Sequence, residues 1–507
     1  MKRFSRWTWA FFVVVAMGVW LRCLHIDKPF LIDFHSFRQA ETASFSHNYL
    51  IDSFAPWHPA DSRYPCRFFG QRFGWVESEL PLPSWLAVVP LKILGMTFPP
   101  AVYLRCVWIA YFVVSCIYMW RLVRRLDGRE STALCSVLAY AVFPLSIFFG
   151  RAIMPDAPSL TMGLMALDHL ALFLEKRRRR DEVITVVVAA ALLLSKISNA
   201  YVAFPFVYVL CRREGIWGAI KQPRHWIWFV CIAVPVAAWY ANARHAPWTF
   251  GIWDHPTASK FTDWRTFTDS SIWARFWNRL RYQILGWPGI GLSVLGLLVA
   301  RNSEAVRVAF AWFLGYVVFF LLAMRGNAMH VYYQLPLVVP AGMASGAAIA
   351  WLMGTPMRGT PSIPGKARFV SAAALAGLLF LHYQVTWAAL DPEINQRDFG
   401  FFRDRGTYRE AISLLQKYAP AGKFIATMEK APEVFYNSGT RGYIVGPHEG
   451  EVTQCTDPNG GVLLLTGREW RFMNEARKDP DSRMAKEFTL LERGRAYSIW
   501  KRQRAAP

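Results

Sequence analysis

The sequence predicts an α-helical polytopic membrane protein that ends in a small α/β domain outside the membrane. Three observations carry this. Hydrophobic residues make up 54% of the 507 and charged residues 18%, whereas soluble domains run nearer a quarter charged. Apolar runs of spanning length recur, separated by short loops that carry the Lys and Arg. From Asp391 onward the chain turns polar, and short buried-strand patterns replace the long apolar runs.

The elements follow in order. Trp7 to Leu24 is an apolar core of about 18 residues, long enough to span. It follows Lys2, Arg3 and Arg6 and has no small-x-small cleavage site, so it reads as a retained first helix with a cytoplasmic N-terminus. Residues 25–98 then form a first outer loop. Within it "PLPSWLAVVPLKILG" holds three prolines and Lys92. If it spanned, the basic loop "RLVRRLDGRE" would fall outside, so it reads as an interfacial or re-entrant helix.

Spans are expected at 100–121, 131–149, 158–174, 183–195, 199–211, 226–241, 284–300, 307–324, 332–353 and 369–388. The loops "EKRRRR", "CRREG" and "RNSEAVR" mark the cytoplasmic side. The total is about 11 spans, giving a membrane module over 1–390 and an extracytoplasmic α/β domain over 391–507. In that domain "KFIATM", "GYIVG" and "GVLLLTG" read as buried strands and "EFTLLERGRAYSIWKRQ" as a closing hairpin.

The net charge of +22 would suggest nucleic acid in a soluble protein. Here the basic residues sit in loops between spans, so topology accounts for them, and no nucleic-acid partner is expected. No GxGxxG or Walker loop occurs, which excludes the common nucleotide motifs. The eight cysteines form no CxxC or zinc spacing. Only Cys66 and Cys455 fall clearly outside the apolar segments.

On this topology the unusual ionisable residues gather at the outer helix ends. Asp33, His35 and Arg38 follow the first helix, and Glu77 and Glu79 precede the re-entrant piece. Arg151 and Asp156 occupy the second outer turn, and Lys196 and Asn199 the third. Asp254, His255 and Asp263 lie in the long fourth loop; Arg325, His330, Tyr332 and Tyr333 flank the last turn. Charges of both signs at one membrane depth are costly unless paired or used. Carboxylates there suit a base or metal ligands, and Arg151, Lys196 and Arg325 suit a phosphate. Each also has a plainer reading. Asp33 is placed to cap a helix, Asp156 sits in a proline-flanked turn, Lys196 is placed to snorkel, and Tyr332 and Tyr333 suit an interfacial belt.

Five stretches, in order, resemble a known group: "IDFHSFRQAETA", "ESELPLPSWL…LKILG", "RAIMPDAPS", "LLLSKISNAYVAFPF" and "HVYYQLPLVVPAGMASG". They are similar to the family 39/83-type glycosyltransferases of the GT-C superfamily, which include protein O-mannosyltransferases and the aminoarabinose transferase of lipid A. "VFYNSGTRGY" is similar to the outer domain of bacterial members. The resemblance implies a polyprenyl-phosphate-linked sugar donor, an extracytoplasmic acceptor, an inverting transfer at the outer face, and a bacterial inner-membrane location.

Carried over, Asp33 matches the family's catalytic base, Asp156 a supporting carboxylate, and Glu79 the acidic residue before proline. Lys196, with Arg151 and Arg325, is expected at the donor phosphate. His35, Arg38, His330, Tyr332 and Tyr333 are expected near substrate. A divalent metal, if used, would be held by Glu79, His255 and His330. One departure bears on the acceptor. Protein O-mannosyltransferases carry an adjacent acidic pair in the first loop, whereas Asp33 is followed by Phe34, which disfavours a protein acceptor. Two other classes compete with this reading. One is an O-antigen-ligase-like or polymerase-like enzyme using a pyrophosphate-linked lipid, with arginines of loop 242–282. The other is a secondary transporter, although no repeat is visible and the charges crowd one face.

Overall fold

The structure, a computed structural model, describes residues 5–28, 35–60, 62–65, 79–245, 261–262, 264–357, 365–390, 407–419, 423–457, 460–467, 469–479 and 481–503. The chain divides into two compact units. One holds residues 1–26, 105–242 and 252–402; the other holds 27–104, 243–251 and 403–507.

The first unit is helical throughout its described residues. Among the described residues five helices are long and apolar enough to cross a membrane: Ala101–Asp127, Asp156–Lys176, Pro223–Ala243, Glu304–Leu322 and Val331–Leu352. A sixth forms if Ser270–Ile284 and Gly286–Val299, bent by 95°, count as one. This is a multi-pass membrane protein, but the expected 11 spans are not reproduced by length and composition. The expected spans 183–195 and 199–211 show why. Helix Arg179–Ser195 has four charged residues in its first turn, "RRDE", and helix Ala203–Glu214 follows a 3-10 turn over Ile197–Val202. The expected span 131–149 is likewise broken at Phe143, where Pro144 opens a second short helix, Pro144–Phe149. At the 95° bend Gly286 has φ +72°, a conformation that side chains with a Cβ resist.

Close packing in this unit depends on small residues, as is general where lipid is the solvent. A Cβ placed on Gly296 would lie 1.8 Å from the Ala344 carbonyl oxygen, and one on Gly346 would lie 2.3 Å from the Ser136 backbone nitrogen. Helices Gly286–Val299 and Glu130–Val142 thereby approach Val338–Leu352 backbone to backbone.

The second unit is built on a six-stranded sheet: β1 (Arg63–Pro65), β2 (Phe424–Thr427), β3 (Arg441–Ile444), β4 (Val462–Thr466), β5 (Phe488–Arg493) and β6 (Tyr497–Arg502). The order is β1-β3-β2-β4-β6-β5. Strands β1, β3, β2 and β4 pair in parallel, and β4, β6 and β5 pair antiparallel. Side chains alternate between faces, as strand geometry requires. Ala426, Leu463, Leu465 and Trp500 enter one core; Ile425, Val462, Leu464 and Ile499 enter the other. Strands β2 to β6 lie where the sequence pattern puts them.

Strand β1 does not. It comes from the first outer loop and pairs with β3 as Arg63 with Gly442, Tyr64 with Tyr443 and Pro65 with Ile444. The loop expected within the membrane module thus shares a unit with residues 403–507. Helices Ser36–Ile51 and Leu82–Ile93 belong to the same unit.

Candidate active site

In the helical unit, the turn over 150–155 ends at Pro155, and Asp156 is the first residue of helix Asp156–Lys176. A carboxylate is favoured there by the helix dipole. Lys196 caps helix Arg179–Ser195 in extended conformation. Its Nζ donates to Asp156 Oδ1 at 2.7 Å, and the two side chains are 8% and 9% exposed. The same ammonium lies 4.8 Å from the ring centroids of both Tyr332 and Tyr333, a distance at which ring faces attract a cation. His330 stacks on Tyr332 at 5.2 Å. Lys196 is therefore held in one place by a carboxylate oxygen and two rings. Asp156 Oδ2 is buried and has no hydrogen-bond partner among the described residues.

The backbone around this cluster is pinned by side chains. Asn199 Nδ2 donates to Ser159 Oγ at 2.9 Å and to the Leu192 carbonyl at 3.2 Å. Trp108 Nε1 donates to the Met154 carbonyl at 2.6 Å. Arg151 is buried, and its Nη1 donates to the His25 carbonyl at 3.1 Å. Arg325 is exposed, in the short helix Met324–Met329. Five expected residues, Asp156, Lys196, His330, Tyr332 and Tyr333, are thus brought together by these contacts.

The second unit holds the rest of the first-loop set. Helix Ser36–Ile51 is unusual. Gln39, Glu41, Thr42, Ser44, Ser46, His47 and Asn48 are all buried, so its polar groups need partners. Arg38 Nη1 meets Glu41 Oε2 at 2.5 Å, and its Nη2 meets Glu79 Oε2 at 2.6 Å. Arg63 donates to the other Glu41 oxygen. Arg38 and Glu79, expected near substrate and in catalysis, are ion-paired with each other.

His35 precedes this helix with φ 56°, a left-handed backbone uncommon for a residue with a Cβ. Strained backbone of this kind clusters at functional sites. Ser36 Oγ donates to Glu433 Oε1 at 2.7 Å, and Arg441 Nη1 donates to Asp52 Oδ1 at 2.9 Å and Oδ2 at 3.0 Å. Tyr436 Oη donates to the Pro99 carbonyl at 2.6 Å. These pairs join residues between Ser36 and Pro99 to residues between Glu433 and Arg441, in and directly before the stretch "VFYNSGTRGY". That motif is a fastening between distant segments, with Gly439 turning at φ 71°. Burial, with Arg441 nearby, pushes the His47 imidazole down to about 4.

The sequence reading did not find Arg63, Asp52, Glu433 or Arg441 as partners. "DSRYP" carries no pattern that marks a three-residue edge strand. The separations of Ser36–Glu433 and Asp52–Arg441, 397 and 389 residues, are invisible to local patterning.

Asp33, Glu77, Asp254, His255 and Asp263 lie outside the described residues. Among the described residues no group of three or more His, Cys, Asp or Glu is arranged to hold a metal ion. Of the expected metal ligands, Glu79 pairs with Arg38 and His330 stacks on Tyr332, and His255 lies outside the described residues. Cys455 is disulfide-bonded. Six of the other cysteines are free, and the remaining one, Cys66, lies outside the described residues.

The family model for dolichyl-phosphate-mannose-protein mannosyltransferases matches residues 78–240. No curated protein matches the sequence. Among solved structures, ArnT from Cupriavidus metallidurans bound to undecaprenyl phosphate is similar with a TM-score of 0.65 and 12% identity, covering 98% of both chains. The Archaeoglobus fulgidus oligosaccharyltransferase in complex with Zn and sulfate is similar with a TM-score of 0.55 and 11% identity, covering 94% of this chain and 71% of that one. The archaeal oligosaccharyltransferase AglB from Archaeoglobus fulgidus, in complex with an inhibitory peptide and a dolichol-phosphate, is similar with a TM-score of 0.52 and 10% identity, with 96% of this chain and 72% of that one covered. Motif order, the partial family match and the end-to-end likeness agree: this polytopic membrane protein has the fold of the GT-C glycosyltransferases.

Proposed function

We propose that the protein moves a sugar from a polyprenyl-phosphate carrier to an extracytoplasmic acceptor with inversion, as a hexosyl- or pentosyltransferase of a bacterial inner membrane. The observation that carries this reading is the buried Lys196–Asp156 pair beneath Tyr332 and Tyr333, in a chain whose fold matches ArnT over 98% of its length. That relative is bound to undecaprenyl phosphate, and AglB to a dolichol-phosphate. A lysine held rigidly at an outer helix end suits the phosphate of such a lipid.

The chemistry asks three things of the chain. The Asp33 carboxylate takes the acceptor hydroxyl proton as that oxygen attacks the sugar C1. The bond from C1 to the phosphate oxygen breaks on the opposite side, which inverts the centre. Lys196, Arg151 and Arg325 stabilise the charge left on the lipid phosphate. Asp156 holds Lys196 in position, and His35, Arg38, His330, Tyr332 and Tyr333 shape the substrate surroundings. Glu79 acts through Arg38. The absence of an acidic pair at Asp33-Phe34 favours a glycolipid or polysaccharide acceptor over a protein.

Neither rival gains a supporting observation. The pyrophosphate-lipid reading needs the loop arginines as its catalytic set. Of these, Arg279 Nη1 donates to the Asn327 carbonyl at 2.7 Å and Arg275 Nη1 to the Ala328 carbonyl at 3.4 Å, contacts that fit a supporting role. The transporter reading lacks a repeat. The test is radiolabel transfer from a panel of polyprenyl-phosphate sugars into envelope fractions, comparing wild type with Asp33→Asn. Transfer that requires Asp33 is expected; folded protein that uses no monophosphate donor would overturn the proposal.

A further inference from the structure

Helix Asp156–Lys176 carries the lysine-bound Asp156 at one end and Glu175 and Lys176 at the other. Its 21 residues span about 30 Å, which is about the thickness of a bilayer's hydrocarbon core. At the far end lies a cavity of about 520 Å³, lined by Arg121, Arg124, Arg125, Glu175, Lys176 and Arg213. The outer-face chemistry gives it no role.

The cavity is built rather than incidental. Asp168, fully buried, holds Arg121 at 2.8 Å and Arg125 at 3.3 Å. Arg125 also meets Glu175 at 2.9 Å, and Arg124 meets Glu130 at 3.0 Å. Lys176 and Arg213 have no ion-pair partner among the described residues. Five cations thus face three carboxylates, Asp168, Glu175 and Glu130, and two positive charges are left over. Arg121 lies over Tyr118 at 4.9 Å and Arg124 over Trp120 at 5.6 Å, the aromatic setting of a headgroup layer.

We infer that this cavity binds the phosphate headgroup of an anionic phospholipid in the leaflet opposite the reaction. Basic pockets between helix ends on the cytoplasmic side recognise such headgroups, and the positive-inside rule puts these loops on that side. The guanidiniums fixed by Asp168 present N–H donors to phosphate oxygens in the geometry that suits them. Lys176 and Arg213 supply the uncompensated charge. The apolar helices beside the cavity accommodate the acyl chains, which a soluble anion would not use.

The test uses the full chain in nanodiscs of phosphatidylcholine, with or without phosphatidylglycerol, and counts lipids retained through gentle detergent extraction by native mass spectrometry. Wild type is expected to retain phosphatidylglycerol selectively. Lys176→Gln/Arg213→Gln should retain on the order of ten-fold less, since each basic side chain at a membrane surface contributes several-fold. Arg178→Gln/Arg180→Gln removes the same charge from exposed positions outside the cavity lining and should retain lipid as wild type does. Equal loss in both double variants would mean a general field and would overturn the proposal. Displacement of the retained lipid by millimolar inorganic phosphate would identify a soluble anion as the ligand, and would overturn it as well.

Discussion

Replacing Lys196 by Met separates two roles that the structure superimposes. The ammonium sits 2.7 Å from Asp156 Oδ1 with both side chains almost fully buried. Removing it leaves a buried carboxylate without its counter-charge, at a cost of about 3–5 kcal/mol. The single variant should therefore unfold at clearly lower temperature in detergent and lose transfer. The informative protein is the double variant, Lys196→Met/Asp156→Leu. Replacing both members of a buried pair with apolar residues is close to neutral for stability, so thermal unfolding should return near wild type. If Lys196 binds the donor phosphate, transfer should stay depressed by about 10²–10³-fold, the usual loss for one electrostatic contact to developing charge. Unfolding is followed by intrinsic fluorescence of the purified protein, and transfer by the radiolabel assay. Stability and transfer recovering together would refute the phosphate role and leave the pair purely structural.

Acid should destabilise the unit that contains the first loop. The His47 imidazole has its ordinary value of 6.5 in the unfolded chain and about 4 when folded. Between these values the unfolded state binds more protons, so stability rises with pH and is lost on acidification. From pH 7 to pH 5 the loss is about 2 kcal/mol, and His47→Gln should flatten that part of the stability curve measured by denaturant titration. Arg441→Met removes both hydrogen bonds that this guanidinium makes to the Asp52 carboxylate, which is 12% exposed, and should cost about 2–3 kcal/mol, read as a lower denaturation midpoint. It also removes a charge that holds His47 down, so its acid loss should be smaller than wild type's. Gly296→Ala places a Cβ 1.8 Å from the Ala344 backbone oxygen, where no side chain can rotate away. It should destabilise by about 1–3 kcal/mol, seen as reduced monodisperse yield and a lower unfolding temperature.

What was legible in the sequence follows from the range of each interaction. The helices of the membrane unit and strands β2 to β6 depend on local composition and period, and their positions were readable within a few residues. Span number is harder to read, because it depends on where helices break. The Phe143–Pro144 interruption divides the span expected at 131–149, and the 95° bend at Gly286 joins the span expected at 284–300 to a helical stretch that was expected as loop. Proline and glycine announce such breaks, but only packing decides whether the chain continues through them or turns. Strand β1 was unreadable for a related reason. Its three residues gain their hydrogen bonds from β3, nearly four hundred residues away, and nothing local requires them to be extended.

The candidate residues divide along the same line. Asp156, Lys196, His330, Tyr332 and Tyr333 were found because each is chemically out of place at the end of an apolar run, and the physics that makes such residues rare there also makes them meet. The first-loop residues gave the same signal with a different outcome. Arg38 and Glu79 are equally conspicuous, yet they pair with each other and with Glu41, and Glu41 in turn holds Arg63 of β1. A charged residue beside a membrane can be kept either to act on a substrate or to fasten a loop, and composition does not separate the two. The αL backbone at His35 offers a way to do so. A loop fastened only for stability would place glycine or asparagine there, and exchange to Gly would relieve the strain. His35→Gly should therefore leave thermal stability unchanged or slightly raised while lowering transfer. A gain in stability with full transfer would make the left-handed turn, and the charges fastened beside it, architectural.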